Sequence, residues 1–104
     1  MQCTLYVGNS NLVEVKGLKN AATDSYENGA SVNVVLLDEA EQEISGESWP
    51  KSLGYVAASD GDYRGTLSEG IAIAHGQIVT AKITATASGL TAVWETPCKA
   101  IERT

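Results

Sequence analysis

An all-β fold is what this sequence predicts, and three observations carry it. Val, Ile and Thr are abundant, and helix-favouring runs are almost absent. Apolar and polar residues alternate with period two through Ser31–Leu37, Tyr63–Leu67 and Ile78–Ala87, as half-buried strands require. Ten glycines recur along the 104 residues and cut the chain into short segments.

Taken in order, residues 4–7 form a short strand stopped by Gly8-Asn9-Ser10-Asn11. In 12–15, Val13 and Val15 share one face, with Glu14 and Lys16 on the other. A polar stretch, 19–26, leads to Asn28-Gly29, a tight-turn pair because both residues tolerate positive φ. Ser31–Leu37 is the clearest core strand: Val32, Val34 and Leu36 face one way, while Val35 and Leu37 make the second face apolar too. Residues 38–42 read as a hairpin turn and 43–49 as the return strand, interrupted by Gly46 and ended by Pro50. Residues 53–57 form another strand with Leu53, Tyr55 and Ala57 on one side, Ser59-Asp60-Gly61-Asp62 a turn, and Tyr63–Leu67 a strand with Tyr63, Gly65 and Leu67 inward. Ile71-Ala72-Ile73 is a short strand or a crossing segment, and Ala74-His75-Gly76 a turn. Ile78–Ala87 is the longest strand, with Val79, Ala81, Ile83 and Ala85 inward and Thr80, Lys82, Thr84 and Thr86 outward. Residues 90–98 form the last strand, in which Pro97 implies an edge or a bulge. The expected core contains Val32, Val34, Leu36, Tyr63, Leu67, Val79, Ala81, Ile83 and Trp94. Strands separated by turn signals at this spacing predict one antiparallel β-sandwich of seven to nine strands over 1–104, with a short tail at 100–104. A small barrel is the competing architecture.

Composition narrows function. Seven Lys and Arg against thirteen Asp and Glu leave a formal charge of -6, which repels nucleic acid, because that binding needs cations to displace phosphate counterions. No stretch approaches the ~18 apolar residues of a membrane-crossing helix. The start Met1-Gln2-Cys3-Thr4 lacks the basic, apolar pattern of a secretion leader. Cys3 and Cys98 could meet if first and last strands are neighbours, but without a leader two buried free thiols are expected.

Candidate chemistry is thin. Asp60-Gly61-Asp62 resembles the opening of a calcium loop, but the remaining oxygen ligands are missing and a polar turn is expected. Asp38, Glu39, Glu41, Glu43 and Glu47 concentrate charge on one hairpin without the cleft that paired-acid catalysis requires. His75 stands alone in a turn, with no nucleophile around it. Trp49, Trp94, Tyr6, Tyr26, Tyr55 and Tyr63 are core and rim pieces or, alternatively, a sugar-stacking platform. No catalytic, cofactor or metal residue is assigned.

The segments Thr4-Leu5-Tyr6-Val7-Gly8-Asn9, Val15-Lys16-Gly17-Leu18, Tyr26-Glu27-Asn28-Gly29-Ala30-Ser31-Val32, Val35-Leu36-Leu37-Asp38, Trp49-Pro50, Leu53-Gly54-Tyr55-Val56-Ala57 and Gly61-Asp62-Tyr63-Arg64-Gly65-Thr66-Leu67 form a pattern over residues 4–94. That pattern resembles small proteins encoded among tailed-bacteriophage virion genes, and the wider class of immunoglobulin-like accessory domains of phage particles. The Cys-Trp-Cys arrangement of antibody domains is absent.

The resemblance implies a non-enzymatic virion structural protein, capsid-decorating or head–tail-associated, assembled in the host cytoplasm and binding major capsid or head–tail proteins. A homo-oligomer is compatible with it; nucleic acid and membrane are not expected partners. A carbohydrate- or receptor-binding adhesion module on a virion or bacterial surface is the alternative. The expected contact residues are Val35 and Leu37, on the second apolar face of the strongest strand, and Pro97, on a strand edge.

Overall fold

The computed structural model describes residues 3–20, 23–87 and 89–102. Among these, the chain is all-β: β1 (Cys3–Tyr6), β2 (Asn11–Val15), β3 (Lys19–Asn20), β4 (Ser25–Tyr26), β5 (Ser31–Leu37), β6 (Lys51–Tyr55), β7 (Tyr63–Leu67), β8 (Ile78–Ala87) and β9 (Leu90–Ile101). Seven strands form one sheet in the order β1-β9-β8-β5-β6-β7-β2, and β3 and β4 make a separate small hairpin. The large sheet curls until it is mostly closed. Its corner is β6, which pairs with β5 at Lys51 to Leu53 and with β7 at Gly54 and Tyr55.

Period-two alternation drives the core as expected. Val32, Val34 and Leu36 from β5, Val79, Ala81, Ile83 and Ala85 from β8, and Tyr63 and Leu67 from β7 are all buried. Trp94 faces the same interior yet is only half-buried. The Tyr63 hydroxyl satisfies both of its roles inside: it donates to Glu27 O at 2.7 Å and accepts from Ala30 N at 3.0 Å.

Four expectations are corrected. First, Cys3 and Cys98 are not free thiols: they are disulfide-bonded, with Cα atoms 4.4 Å apart. They are direct register partners in the parallel β1–β9 pair, so the sheet itself brings the thiols together. Second, 43–49 is not the return strand; only a single bridge joins Leu37 to Glu43. Gly46 leaves strand geometry at φ +99°, where a Cβ would stand 2.1 Å from Gly70 O. β6 therefore becomes the partner of β5, while Ile44 still tucks into the core. Third, 100–104 is not a tail from its first residue: β9 runs to Ile101 and Ala100 is fully buried. Fourth, Tyr55 and Ala57 do not share the burial of Leu53 and are exposed. Residues 71–73 prove to be a crossing segment: Ile71 and Ile73 are buried, and Ala72 N donates to Ser45 O.

The near-closure has a clasp. Asn11, buried at the start of β2, accepts from Tyr6 N (2.8 Å) and donates to Tyr6 O (3.1 Å) and Asn9 O (3.1 Å) through its carboxamide. One side chain thereby stands in for a peptide group between the first two strands.

Ile83 lies on the inward face of β8, 6% exposed. Ile83→Ala is expected to lower unfolding free energy by about 2–5 kcal/mol in a urea titration; a loss near zero would place it outside the packed interior.

Candidate interaction surface

β5, β8 and β9 present a continuous outer face. Alternation directs Ser31, Asn33, Val35 and Leu37 outward from β5, and Thr80, Lys82, Thr84 and Thr86 from β8. Register aligns them with β9 into rows: Leu37–Thr80–Pro97, Val35–Lys82–Glu95, Asn33–Thr84–Val93 and Ser31–Thr86–Thr91. Val35, Leu37 and Pro97 thus stand on one surface, with Val35 and Leu37 half-buried and Pro97 exposed. A shallow cleft of about 530 Å³ lies over Val35 and Leu37, bounded by Glu41, Glu43 and Pro50 on one side and by Lys82 and Glu95 on the other. Val93, 53% exposed, and Ile78, 44% exposed, extend the apolar surface beyond the residues expected from sequence. The signal for Val93 was its phase, opposite to Ala92 and Trp94.

Pro97 is also at an edge, and the hydrogen-bond phase shows why proline fits there. Ala100 N donates toward β8, to Gln77 O, whereas Ile101 O accepts on the opposite side, from Val7 N. With unbroken register through β8 and β9, even-numbered residues of β9 direct their backbone groups to β8 and odd-numbered ones direct theirs away. Pro97 belongs to the odd set, so its missing N–H takes nothing from the β8 ladder.

The remaining candidates are stitched into the scaffold. Asp62 Oδ1 accepts from Gly17 N, and Gly61 N donates to Asn28 Oδ1, so the Asp-Gly-Asp turn ties three loops together. No group of three or more potential metal ligands exists among the described residues. His75 Nδ1 accepts from Glu102 N at 3.0 Å. Asp38 Oδ1 accepts from Ala40 N and Gln42 N, closing its own loop. The aromatics do not assemble into one exposed platform. Tyr63 is core, Trp94 packs against the core, and Trp49 donates its indole N–H to Ile44 O. Tyr55 hydrogen-bonds Ser59 O, and Tyr26 lies beneath Lys19 Nζ at 5.1 Å.

Glu47 has a displaced equilibrium. Hydrogen bonds from Ser68 N and Ser48 N, aided by Lys51 Nζ at 3.8 Å, hold its carboxyl below the ordinary value of 4.5. The charge favours the folded state above that ordinary value, and the contribution disappears as pH falls through the lowered one. No family model, curated protein or solved structure matches this chain.

Glu47→Gln keeps an acceptor but no charge. Its unfolding free energy in urea is expected to fall below the native protein's at about pH 7, with the gap narrowing as pH is lowered past the ordinary value of 4.5. A gap independent of pH would mean that the carboxylate charge contributes nothing.

Proposed function

We propose that this chain is a non-enzymatic bacteriophage virion protein, an immunoglobulin-like β-sandwich that decorates the capsid or sits at the head–tail region and binds other virion proteins. The observation carrying this reading is the ordered outer face of β5, β8 and β9. There Val35, Leu37, Val93 and Pro97 are interleaved with threonines and one facing Lys82–Glu95 pair. Apolar side chains grouped on a sheet face serve protein contact better than solvation. The strand order supports the sandwich: β1 pairs in parallel with the last strand, and β6 passes from one set of strands to the other.

Area favours a multicopy setting. Three strands spaced by about 4.8 Å, each about 25 Å long, give a face of a few hundred Å². That falls short of the roughly 800 Å² per partner of a stable pairwise complex. A symmetric particle compensates by presenting many copies at once. The disulfide fits the same setting, because virion surfaces are among the places where disulfides persist. The β1–β9 register sets Cys3 and Cys98 opposite each other, where the disulfide joins them.

Val35→Asp is expected to leave a folded, soluble domain and to abolish incorporation into particles, since it buries an unpaired charge only in the assembly. Normal incorporation would remove Val35 from the interface. Specific glycan binding by the isolated domain, lost on replacing Trp49 or Tyr55 with Ala, would favour an adhesion module instead.

Thiol labelling under denaturing, non-reducing conditions is expected to modify neither cysteine in protein from released particles, and to modify both after reduction. Labelling of either cysteine without reduction would argue against the disulfide.

A further inference from the structure

β1 is too short to cover its neighbour. It pairs with β9 only at Cys98 to Ile101, whereas β9 begins at Leu90. Along residues 90–96 no strand among the described residues pairs with the edge of β9 that faces away from β8. By the phase established above, the N–H and C=O groups directed to that edge are those of Thr91, Val93 and Glu95.

The interior beside this edge is under-covered. Ala92 and Trp94 point inward on β9, yet Ala92 is exposed and Trp94 half-buried; inward-facing Val13 across the gap on β2 is half-buried too. Two clefts follow one another along the edge. One, of about 480 Å³, lies between Trp94 and Thr96 and β2 at Val13 and Val15, over Leu36 and Ile83. The other, of about 250 Å³, lies between Leu90 to Ala92 and Leu18.

We infer that this groove receives a single extended segment of a partner protein, added as a strand to residues 90–96 of β9, with small or β-branched apolar residues at alternate positions. The edge supplies unpaired peptide groups at the spacing of a strand, which selects an extended backbone. The under-covered interior selects apolar side chains at every second position. Walled by β2 and Leu18 on its far side, the groove suits a single extended segment. Pro97 ends the ladder where β1 begins. This groove is a different surface from the outer face of β5, β8 and β9, and the assay below reads it alone.

The test is amide hydrogen exchange on the isotopically labelled full chain. The probe is a synthetic peptide copying Ile78–Ala87, whose Val, Ala, Ile and Ala alternate with Thr and Lys. At saturating peptide, exchange at Thr91, Val93 and Glu95 is expected to slow by about tenfold or more. Ala92 and Trp94, whose N–H groups already serve β8, are expected to change little. A shuffled peptide of the same composition is expected to have no effect. Val93→Pro removes one edge donor without touching the β8 ladder and is expected to weaken binding about tenfold or more. Val93→Ala, whose side chain lies on the outer face, is expected to bind normally. If Val93→Pro does not fold, the native chain is titrated with two peptides N-methylated at alternate residues in opposite phases; at least one is expected to lose binding. Absence of slowing at these amides at millimolar peptide overturns the inference. So does equal slowing by the shuffled peptide, binding indifferent to both N-methylated peptides, or a peptide-independent dimer that already protects the edge.

Discussion

Four residues of β1 carry this sheet from its last strand in sequence toward β2, and much of the molecule follows from that short contact. Parallel pairing of Cys3 to Tyr6 with Cys98 to Ile101 sets the two cysteines opposite each other. It also buries Leu5 and Ala100 at the base of the interior. The two edges of the sheet are β1 and β2, so its near-closure depends on β1 reaching β2, which a four-residue strand does at one end only. At that end the Asn11 carboxamide completes the join to Tyr6. A disulfide across 95 residues of sequence restricts the unfolded chain by about the amount expected of a very long loop, on the order of 4–5 kcal/mol in the chain-entropy picture. The short contact is thus reinforced covalently where its hydrogen bonds are few.

What was legible in the residues is what depends on local alternation. β5, β7 and β8 announced both their bounds and their inward faces, because a period of two assigns every side chain once a single face is known. The outward apolar positions Val35 and Leu37 were visible for the same reason. Pro97 signalled an edge because a missing donor is tolerated only there. What escaped depends on contacts distant in sequence. Nothing near Cys3 or Cys98 tells that the first strand runs parallel to the last. Asn11 read as a turn residue because its role rests on Tyr6 being held in place by β9. The 43–49 segment has strand-like composition, but the approach of Gly70 O to Gly46 is a tertiary constraint with no local mark.

The acidic residues illustrate how a charged composition can be absorbed by structure. Asp38 and Asp62 accept backbone N–H groups in the loops they stabilise, and Glu47 bridges from its own loop to Ser68. Each carboxylate used in this way is tied to a fixed donor and withdrawn from any cleft where it could act on a substrate. Glu14 is likewise opposed to Arg64 across β2 and β7, at 3.3 Å. Of the acidic hairpin expected from sequence, Asp38 and Glu47 are loop clasps, while Glu41 and Glu43 border the cleft over Val35 and Leu37.

The two surfaces argued for here meet in β9. Val93 contributes its side chain to the outer face and its peptide group to the free edge. A strand added at residues 90–96 would do more than fill a groove. It would continue the sheet, placing a new row of side chains beside Val93 and Glu95, and would widen the outer face by about 4.8 Å. Over the length of the added segment, that brings a small face nearer to the area of a stable pairwise contact. The edge and the face are then coupled through geometry alone, without any shift in the core: a partner that donates a strand also enlarges the platform on which it, or its neighbour in a symmetric array, can rest.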